Sequence, residues 1–275
     1  MFEYQKYKGH VQYHAQSKLD YDLEKFERLG FFICASVLQE NELAFLREKI
    51  DAIWQRQIEE YGEDLLERIG DYGQVRGMML YDPFFYELIL HPLIQTYVSA
   101  ILSDTAILHL QNGIVTFPER RHNQGKFHKD FAKPFKSSKP LSLNAFLAID
   151  EFSAETGGTW LVPGSHLFET MPSDEYIEEH KVQLLAPAGS ILFFDSTLWH
   201  AGGVNLSKTR RRAINHQFTL PFIKQQLDYP ALLKGKVDLE SKLAQVMGLW
   251  TIPPKSVSEY RVSEPHLRTY RAGQG

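Results

Sequence analysis

The sequence of 275 residues contains a single cysteine, Cys34, and no excess of positive charge. One cysteine cannot form an internal disulfide, so a fold held together by such bonds is excluded. The 30 Lys and Arg residues are outnumbered by 34 Asp and Glu residues, which leaves no global positive field to attract nucleic acid or anionic lipid. No run approaches the roughly 18 apolar residues of a membrane span, and the N-terminus lacks the layout of a secretory signal. We therefore expect a cytoplasmic protein with neither a nucleic-acid nor a membrane partner.

The composition is typical of a folded protein with a large core, because 43% of the residues are hydrophobic and 23% are charged. At this size, folding removes on the order of 70–75% of the surface of the extended chain from water, so the core needs no disulfide or structural metal. Cys34 lies in the apolar run 31–35 and is interpreted as a buried hydrophobic residue rather than a reactive thiol. No internal repeat divides the chain, and we expect a single domain.

The N-terminal part, residues 1–104, is predicted to be largely helical. Apolar residues at spacings of three and four fall on one face of a helix from about residue 41 to 61. These residues are Leu43, Leu46, Ile50 and Ile53. A shorter helix over residues 21–28 is expected to end at Gly30, where positive φ suits a helix terminus, and a buried strand is expected at 31–35.

Residues 105–222 have the pattern of a β-rich core, in which short apolar runs are separated by turn signals. The candidate strands cover residues 107–117, 143–149, 159–162, 190–195 and 213–220. Short strands that do not alternate with helices favour an antiparallel sandwich or barrel. Residues 223–275 are predicted to form a C-terminal helix, at about 238–247, and a tail.

Three residues are candidate metal ligands. His128 and Asp130 are two residues apart, so in an extended strand their side chains point to the same side. His200 follows a hydrophobic strand and precedes the small residues at 201–203, which leave room for a ligand. Two His and one Asp on one face of an octahedron suit Fe(II) and leave three positions for a bidentate keto acid and O₂. A surface histidine beside a solvated Asp, and a hydrogen-bonded core histidine, are the structural alternatives for these positions.

Hydrolase chemistry has less support in the sequence. His-Glu-x-x-His, the helical zinc motif of metalloproteases, does not occur, and a single cysteine cannot build a thiolate zinc site. Gly-x-Ser-x-Gly, the nucleophile motif of α/β-hydrolases, is also missing.

Arg211 opens the last predicted strand of the core. Alternation places a polar or small set of residues on one face of that strand, which suits a wet, ligand-holding interior. The set is Arg211, Ala213, Asn215 and Gln217. A planar guanidinium on this face offers a bidentate clamp for a carboxylate. The neighbouring Arg210 and Arg212 are interpreted as solvated basic residues.

Several ordered segments between residues 18 and 222 occur together in one known family. They are Phe26-x-x-x-Gly30-Phe31-Phe32, His128-x-Asp130, GGTWLVPGSH at 157–166, PAGSILFFD at 187–195, His200, NLS at 205–207 and Arg211. In this order they resemble the phytanoyl-CoA dioxygenase family of non-haem Fe(II)/2-oxoglutarate oxygenases, a group that includes ectoine hydroxylase. Arg211 follows His200 by eleven residues, which is the spacing usual in that family.

The resemblance implies a mainly β fold with flanking helices (α+β), whose core is a double-stranded β-helix, or jelly roll, with the N-terminal helices packed on it. It also implies that His128, Asp130 and His200 hold the iron and that Arg211 binds the distal carboxylate of 2-oxoglutarate. Halogenating relatives have Ala or Gly in place of Asp130. The carboxylate therefore favours hydroxylation or a related oxidation such as desaturation.

Other positions receive roles from the same resemblance. Gln111 and Phe146 are candidates for the co-substrate pocket, although a buried strand also carries such residues for packing. Lys129 and Trp160 are candidates for substrate contacts. His166 is interpreted as a turn residue rather than a ligand.

The sequence departs from some relatives at two positions. Gly202 stands where they have a hydroxyl two residues after the distal histidine, and Phe117 replaces a Lys before Pro118. The carboxylate of the co-substrate is therefore expected to have fewer partners, or to take them from elsewhere. A basic stretch flanks the metal pair and suits an anionic or highly polar substrate, unless its charges are simply solvated. It comprises residues 119–126 with Lys129, Lys133, Lys136 and Lys139.

The implied function is that of an Fe(II)/2-oxoglutarate-dependent dioxygenase that hydroxylates or otherwise oxidises a small polar metabolite. Fe(II) is the expected cofactor, 2-oxoglutarate and O₂ are the expected co-substrates, and succinate and CO₂ are released. Two alternatives stay open from the sequence. One is a non-catalytic jelly roll that binds a metal or a metabolite, and the other is a protein or peptide hydroxylase.

Overall fold

The computed structural model of the chain describes residues 3–120, 124–131 and 136–262. The helices are α1 (Lys18–Leu29), α2 (Glu40–Tyr61), α3 (Glu63–Arg68), α4 (Phe84–Ile89), α5 (Pro92–Ile101), α6 (Asp174–His180), α7 (Tyr229–Leu232), α8 (Lys242–Val246) and α9 (Val257–Val262). The strands are β1 (Glu3–Tyr7), β2 (His10–His14), β3 (Phe31–Cys34), β4 (Gln74–Arg76), β5 (Ile107–Thr116), β6 (Ser142–Ala148), β7 (Trp160–Leu161), β8 (Val182–Gln183), β9 (Ile191–Asp195), β10 (His200–Ala201) and β11 (Arg211–Thr219). In this part of the chain no helix has both the length and the apolar composition needed to cross a membrane.

Six strands form the main sheet, in the order β3-β9-β6-β11-β5-β4. Each neighbouring pair in this sheet is antiparallel. Three two-residue strands form a smaller antiparallel sheet in the order β10-β7-β8, and β1 pairs with β2 as a separate hairpin. The long central strands β5, β6 and β11 thus carry most of the pairing in the main sheet.

The main sheet has a different partner on each face. One face packs against helices, in a core cluster that contains Phe193 of the sheet and Ile50 of α2. The other face packs toward the smaller sheet, in a second cluster that joins Phe146 of the main sheet to Leu161 of β7. Because side chains alternate between the two faces of a strand, each long strand contributes to both clusters. The space between the two sheets holds the candidate site.

The helix predicted for residues 41–61 is confirmed by α2. Its buried residues include the four that set the pattern, Leu43, Leu46, Ile50 and Ile53. The predicted end of α1 is confirmed as well: Gly30 has φ 84°, and its N–H donates to the carbonyl of Phe26. A residue without a Cβ adopts this left-handed conformation without strain, which lets the chain turn directly into β3. Cys34 is buried in that strand, as expected.

Two terminal elements differ from the predictions. The region predicted to be largely helical begins with the hairpin β1–β2, whose two-residue turn is formed by Lys8 and Gly9 with φ of 45° and 81°. Positive φ at both positions is the geometry that closes a tight hairpin. The C-terminal helix α8 is shorter than the predicted 238–247, because Ser241 caps it by accepting a hydrogen bond from the N–H of Ala244 at 3.1 Å.

His216 of β11 lies on the helix-packed side of the main sheet and is fully buried. Its Nε2 lies 3.0 Å from Nε2 of Gln111, and that amide also donates to the carbonyl of Phe85. The imidazole is therefore an acceptor at Nε2 and is neutral. Burial lowers the pKa of His216 to about 3.

Acid is expected to destabilise the fold through His216. The folded pKa lies below the unfolded value of about 6.5, so the unfolded chain takes up the proton first. The contribution of the neutral His216 to stability is therefore fully present above about pH 6.5. As the pH falls toward 3 this contribution is lost, by up to about 1.4 kcal/mol of unfolding free energy per pH unit. Urea unfolding between pH 7 and 4 is expected to show a smaller loss of unfolding free energy for His216→Leu than for the parent protein. Identical pH profiles in the two proteins would contradict this origin.

Candidate metal centre

The main chain brings His128 and His200 together. The two residues form an isolated antiparallel bridge, in which the N–H of His128 donates to the carbonyl of His200 at 2.9 Å and the reverse bond measures 3.0 Å. The imidazole rings lie side by side, with centroids 4.3 Å apart. The N–H of Asp130 donates to the carbonyl of Ser196 at 3.0 Å, which anchors the same segment at a second point. Backbone hydrogen bonds therefore fix where these side chains start.

The side chains of these residues converge on one point. Oδ1 of Asp130 lies 3.6 Å from Nε2 of His200 and 4.0 Å from Nε2 of His128. One ligand atom from each residue lies within 4.8 Å of the other two. Within the described ranges this is the only group of three or more His, Cys, Asp or Glu residues that could hold a metal ion.

Both imidazoles are oriented by a backbone carbonyl. Nδ1 of His128 lies 2.8 Å from the carbonyl of Lys126, and Nδ1 of His200 lies 2.9 Å from the carbonyl of Leu198. A carbonyl only accepts, so each Nδ1–H donates, and Nε2 is the nitrogen of each ring that faces the centre. Nε2 of His128 is buried and has no hydrogen-bond partner in the described part of the chain. Burial lowers the pKa of His200, which favours the neutral ring. Two Nε2 atoms beside a carboxylate are a donor set that fits a divalent cation.

The carboxylate of Asp130 is held on its far side. Oδ2 accepts a hydrogen bond from Nδ2 of Asn144 at 2.7 Å, which leaves Oδ1 facing the two imidazoles. His128 and Asp130 do not lie in a continuous strand: His128 forms only an isolated bridge, and Asp130 lies in a bend. Their side chains nevertheless converge, because the main chain of His128 bonds His200 and the main chain of Asp130 bonds Ser196.

Arg211 is buried without an ion pair. It is 2% exposed, its Nη1 donates to the carbonyl of Gly157 at 2.5 Å, and its guanidinium carbon lies 4.3 Å from the ring centre of Phe152. Among the described residues, its buried Nε has no hydrogen-bond partner and no carboxylate forms a salt bridge with it. Burial lowers the pKa of Arg211 to about 10, so the group is still cationic at neutral pH. A buried, unpaired guanidinium fits an anionic ligand.

The neighbouring Arg212 has the opposite environment, and its interpretation as a solvated residue is wrong. Alternation along β11 points it toward α2, where its Nη2 lies 2.7 Å from Oδ2 of Asp51. Its Nη1 lies 2.8 Å from Oδ2 of Asp150. Arg210 also reaches Asp51, at 3.3 Å. These two arginines tie the main sheet to the helical layer.

Close backbone packing forms the floor beneath Arg211. Gly157 has φ 79°, and a Cβ at this position would lie 2.5 Å from the carbonyl oxygen of Val204. Only glycine allows this approach, which brings the Gly157 carbonyl to the guanidinium. The turn Glu-Thr-Gly-Gly in the sequence is thus part of the site.

Asp130, His200 and Arg211 line one cavity between the two sheets. It holds about 690 Å³ of empty space, including its opening to solvent. The other lining residues are Gln74, Leu110, Asn112, Ile114, Thr116, Gln124, Phe146, Thr159, Phe194, Gly202, Asn215 and Gln217. Phe146 therefore lies on the wall of this cavity. Gly202 brings no hydroxyl to it, and Thr159 is a hydroxyl-bearing residue among those that line it.

Gln111 and Trp160 do not face this cavity, and the predicted co-substrate contact of Gln111 is wrong. Gln111 points to the helical side, where it bonds Phe85 and His216, and its neighbours Leu110 and Asn112 face the cavity instead. Trp160 points outward beneath the Lys181 ammonium, 4.9 Å from the ring centre. The residues on either side of it, Thr159 and Leu161, point inward.

Lys129 also points away from the cavity. Its Nζ donates to the carbonyl of Phe168 at 2.6 Å and lies 5.4 Å from the ring centre of Trp199. Alternation explains this, because His128 and Asp130 on either side point inward. His166, interpreted as a turn residue, lies in a 3₁₀ turn, with its Nε2 3.2 Å from the carbonyl of Glu27.

The basic stretch is described only in part. Residues 121–123 and Lys133 lie outside the described residues. Arg120 pairs with Glu67 and stacks on Tyr72 at 3.6 Å, and Lys139 lines a different cavity. Gln124 is the one residue of the stretch that lines the site cavity in the described ranges.

Comparisons with known proteins agree with this geometry. A sequence model described as phytanoyl-CoA dioxygenase matches residues 26–213. The uncharacterized protein Rv1501 of Mycobacterium tuberculosis is 39% identical over 272 residues, which cover 96% of this chain and 99% of that protein. The iron/alpha-ketoglutarate-dependent dioxygenase ausO of Aspergillus calidoustus is 26% identical over 206 residues, which cover 70% of this chain and 68% of ausO.

Among solved structures, the chain is similar to EctD from S. alaskensis, crystallised with 2-oxoglutarate and 5-hydroxyectoine. The TM-score is 0.61 at 16% identity, over 71% of this chain and 74% of EctD. At this identity the likeness shows the fold. The predicted jelly roll with flanking helices is confirmed.

Proposed function

The chain belongs to the phytanoyl-CoA dioxygenase family, and we propose that this iron- and 2-oxoglutarate-dependent dioxygenase oxidises a small polar metabolite with His128, Asp130 and His200 as its iron ligands. The observation that carries the proposal is one cavity with two features. Asp130 and His200, two of the three residues whose ligand atoms converge, line this cavity, and so does Arg211, whose guanidinium forms no ion pair with any described residue.

The donor set suits the metal. When bound, Fe(II) supplies the redox chemistry by which O₂ and the keto acid are consumed. The chain contributes two imidazole Nε2 atoms and one carboxylate oxygen, which is the set typical of Fe(II) sites with three open positions. The carboxylate at Asp130 takes the third ligand position, which supports hydroxylation or desaturation over halogenation.

Arg211 accounts for the co-substrate. Its cation is desolvated and its Nε lacks a partner, so a carboxylate that reaches it gains a charge-assisted hydrogen bond at little further desolvation cost to the protein. We assign the distal carboxylate of 2-oxoglutarate to this position. The hydroxyl of Thr159, which lines the same cavity, is available as the second partner that Gly202 does not supply. Phe146 restricts water on the other wall.

Two amides support a polar substrate. Asn112 and Asn215 lie directly opposite each other in the β5–β11 pair, and both line the cavity. Asn112 is 7% exposed, and Oδ1 of Asn215 is buried without a partner among the described residues. Amides that line a cavity favour a ligand that offers hydrogen-bond donors and acceptors.

A screen for succinate formation tests the proposal. With Fe(II), 2-oxoglutarate and O₂, the purified protein is expected to release succinate faster when an aqueous metabolite extract is added. Mass spectrometry is expected to show one metabolite gaining an oxygen atom or losing two hydrogens. An anaerobic mixture with Fe(II) and 2-oxoglutarate is expected to show a weak visible charge-transfer band that His128→Ala lacks. Succinate release with peptides alone, or metal binding without any turnover, would refute the proposal.

A further inference from the structure

We propose that Asn144 is a positioning residue that fixes Asp130 so that only one of its carboxylate oxygens faces the metal. This inference rests on the ligand assignment of the proposed function. Asn144 is the third residue of β6 and is fully buried. It is the one amide in that strand, Ser-Leu-Asn-Ala-Phe-Leu-Ala, whose other residues are apolar or small.

Every polar atom of the Asn144 amide is engaged. Nδ2 donates to Oδ2 of Asp130 at 2.7 Å and to Oγ of Ser196 at 2.9 Å. Oδ1 accepts from Nδ2 of Asn215 at 2.9 Å. The opposite rotamer would set the carbonyl of Asn144 against the carboxylate and its NH₂ against that of Asn215. The network therefore determines which end of the amide faces Asp130.

Ser196 connects this network to the main chain of Asp130 and to two further side chains. Its carbonyl accepts from the N–H of Asp130, and its Oγ accepts from Nε2 of Gln217 at 3.1 Å. Oγ of Ser142 lies 2.7 Å from the same hydroxyl. The network therefore holds Asp130 at two points: Ser196 bonds its main chain, and Asn144 bonds its carboxylate. Its members lie in β6, in β11 and in the turn after β9.

Holding Oδ2 has a direct consequence for coordination. A carboxylate with two unengaged oxygens can bind a metal through both and so occupy a fourth position. With Oδ2 engaged by Asn144, Oδ1 is the oxygen that faces Nε2 of both histidines. Three positions then stay available for the keto acid and O₂, which is what the reaction requires.

Cobalt titration of the metal-free protein tests this role without any turnover. Co(II) absorbs in the visible range, and the position and intensity of its bands report the coordination geometry. In Asn144→Leu, the dissociation constant for Co(II) is expected to rise about 10- to 100-fold, as for other residues that orient a ligand. The Co(II) bands are expected to shift, because the carboxylate is no longer restricted to one oxygen. Asn144→Ala is the second variant, in case the leucine is not accommodated.

His216→Leu is the matched control. His216 also lies in β11, is fully buried, and bonds Gln111 on the helix-packed side of the sheet, away from Asp130 and the site cavity. We expect it to lower the thermal midpoint about as much as the Asn144 variants, but to keep the Co(II) affinity within about twofold and the bands in place. Equal effects of both substitutions on Co(II) binding would show that Asn144 is only structural and would overturn the inference.

His128→Ala separates this inference from the proposed function. If the parent binds Co(II) and His128→Ala does not, the ligand assignment holds, and unchanged Co(II) bands in both Asn144 variants then refute the positioning role alone. If His128→Ala binds Co(II) as tightly as the parent, the ligand assignment fails, and the inference fails with it.

Discussion

Replacing His200 by alanine is expected to abolish metal binding and to reduce 2-oxoglutarate turnover about 10³-fold or more. The change removes one of the two imidazoles from a site with three proposed protein ligands, and metal-ion catalysis contributes several kcal/mol of transition-state stabilisation. The backbone bridge between residues 128 and 200 does not depend on the imidazole, so the fold is expected to persist. Succinate formation and Co(II) titration measure the loss, and circular dichroism checks the fold.

His166→Gln serves as the control for this variant. His166 belongs to the same Pro-Gly-Ser-His turn that the family resemblance includes, but it contacts the carbonyl of Glu27 rather than the candidate metal centre. It is expected to bind Co(II) as the parent does. Turnover retained in His200→Ala, or lost equally in His166→Gln, would contradict the assignment of the ligands.

Replacing Arg211 by methionine is expected to weaken 2-oxoglutarate binding on the order of 100-fold or more without weakening the fold. Truncating one partner of a buried, hydrogen-bonded charge pair costs about 2–5 kcal/mol of binding. In the ligand-free protein, however, the guanidinium is a buried charge without a counter-ion, so an apolar side chain of similar length is expected to leave the stability unchanged or to raise it by about 1 kcal/mol. Calorimetric titration of the Co(II) protein with 2-oxoglutarate measures the first effect, and urea unfolding measures the second.

Arg212→Met is expected to behave in the opposite way. It breaks the ion pairs with Asp51 and Asp150, which connect β11 to α2 and to the end of β6, so the free energy of unfolding is expected to fall by about 1–3 kcal/mol. Affinity for 2-oxoglutarate is expected to stay within about twofold of the parent. The pair of variants would refute the assignment of Arg211 if both lost affinity equally, or if Arg211→Met lost stability alone.

The parts of the fold that could be predicted from the sequence are those with a clear period. The spacing of apolar residues in α2 identifies its buried face, and alternation along β11 predicts that Arg211, Asn215 and Gln217 share a face. The partners of Arg212 could not be predicted, because Asp51 is 161 residues away and Asp150 is 62 residues away in the chain. A period identifies the face of an element, but not what packs against it.

The error at Gln111 has a related cause. The run Leu110-Gln111-Asn112-Gly113-Ile114 does not alternate between apolar and polar residues, so it gives no sign of which amide points inward. The family resemblance identifies the strand but not which of its residues face the cavity. An assignment that is off by one residue places a side chain on the opposite face of the sheet. Asn144 was missed for a different reason. A lone amide in an apolar strand must find hydrogen-bond partners when it is buried. The sequence therefore indicates a polar contact at this position, but it does not identify Asp130 as the partner.

The reciprocal backbone hydrogen bonds between residues 128 and 200 fix the distance between the two histidines without the help of a metal ion. We therefore expect the three proposed ligands to be in place once the chain has folded, before a cation binds. Chelation and reloading are then expected to require no refolding, and one divalent ion is expected to replace another without unfolding of the chain.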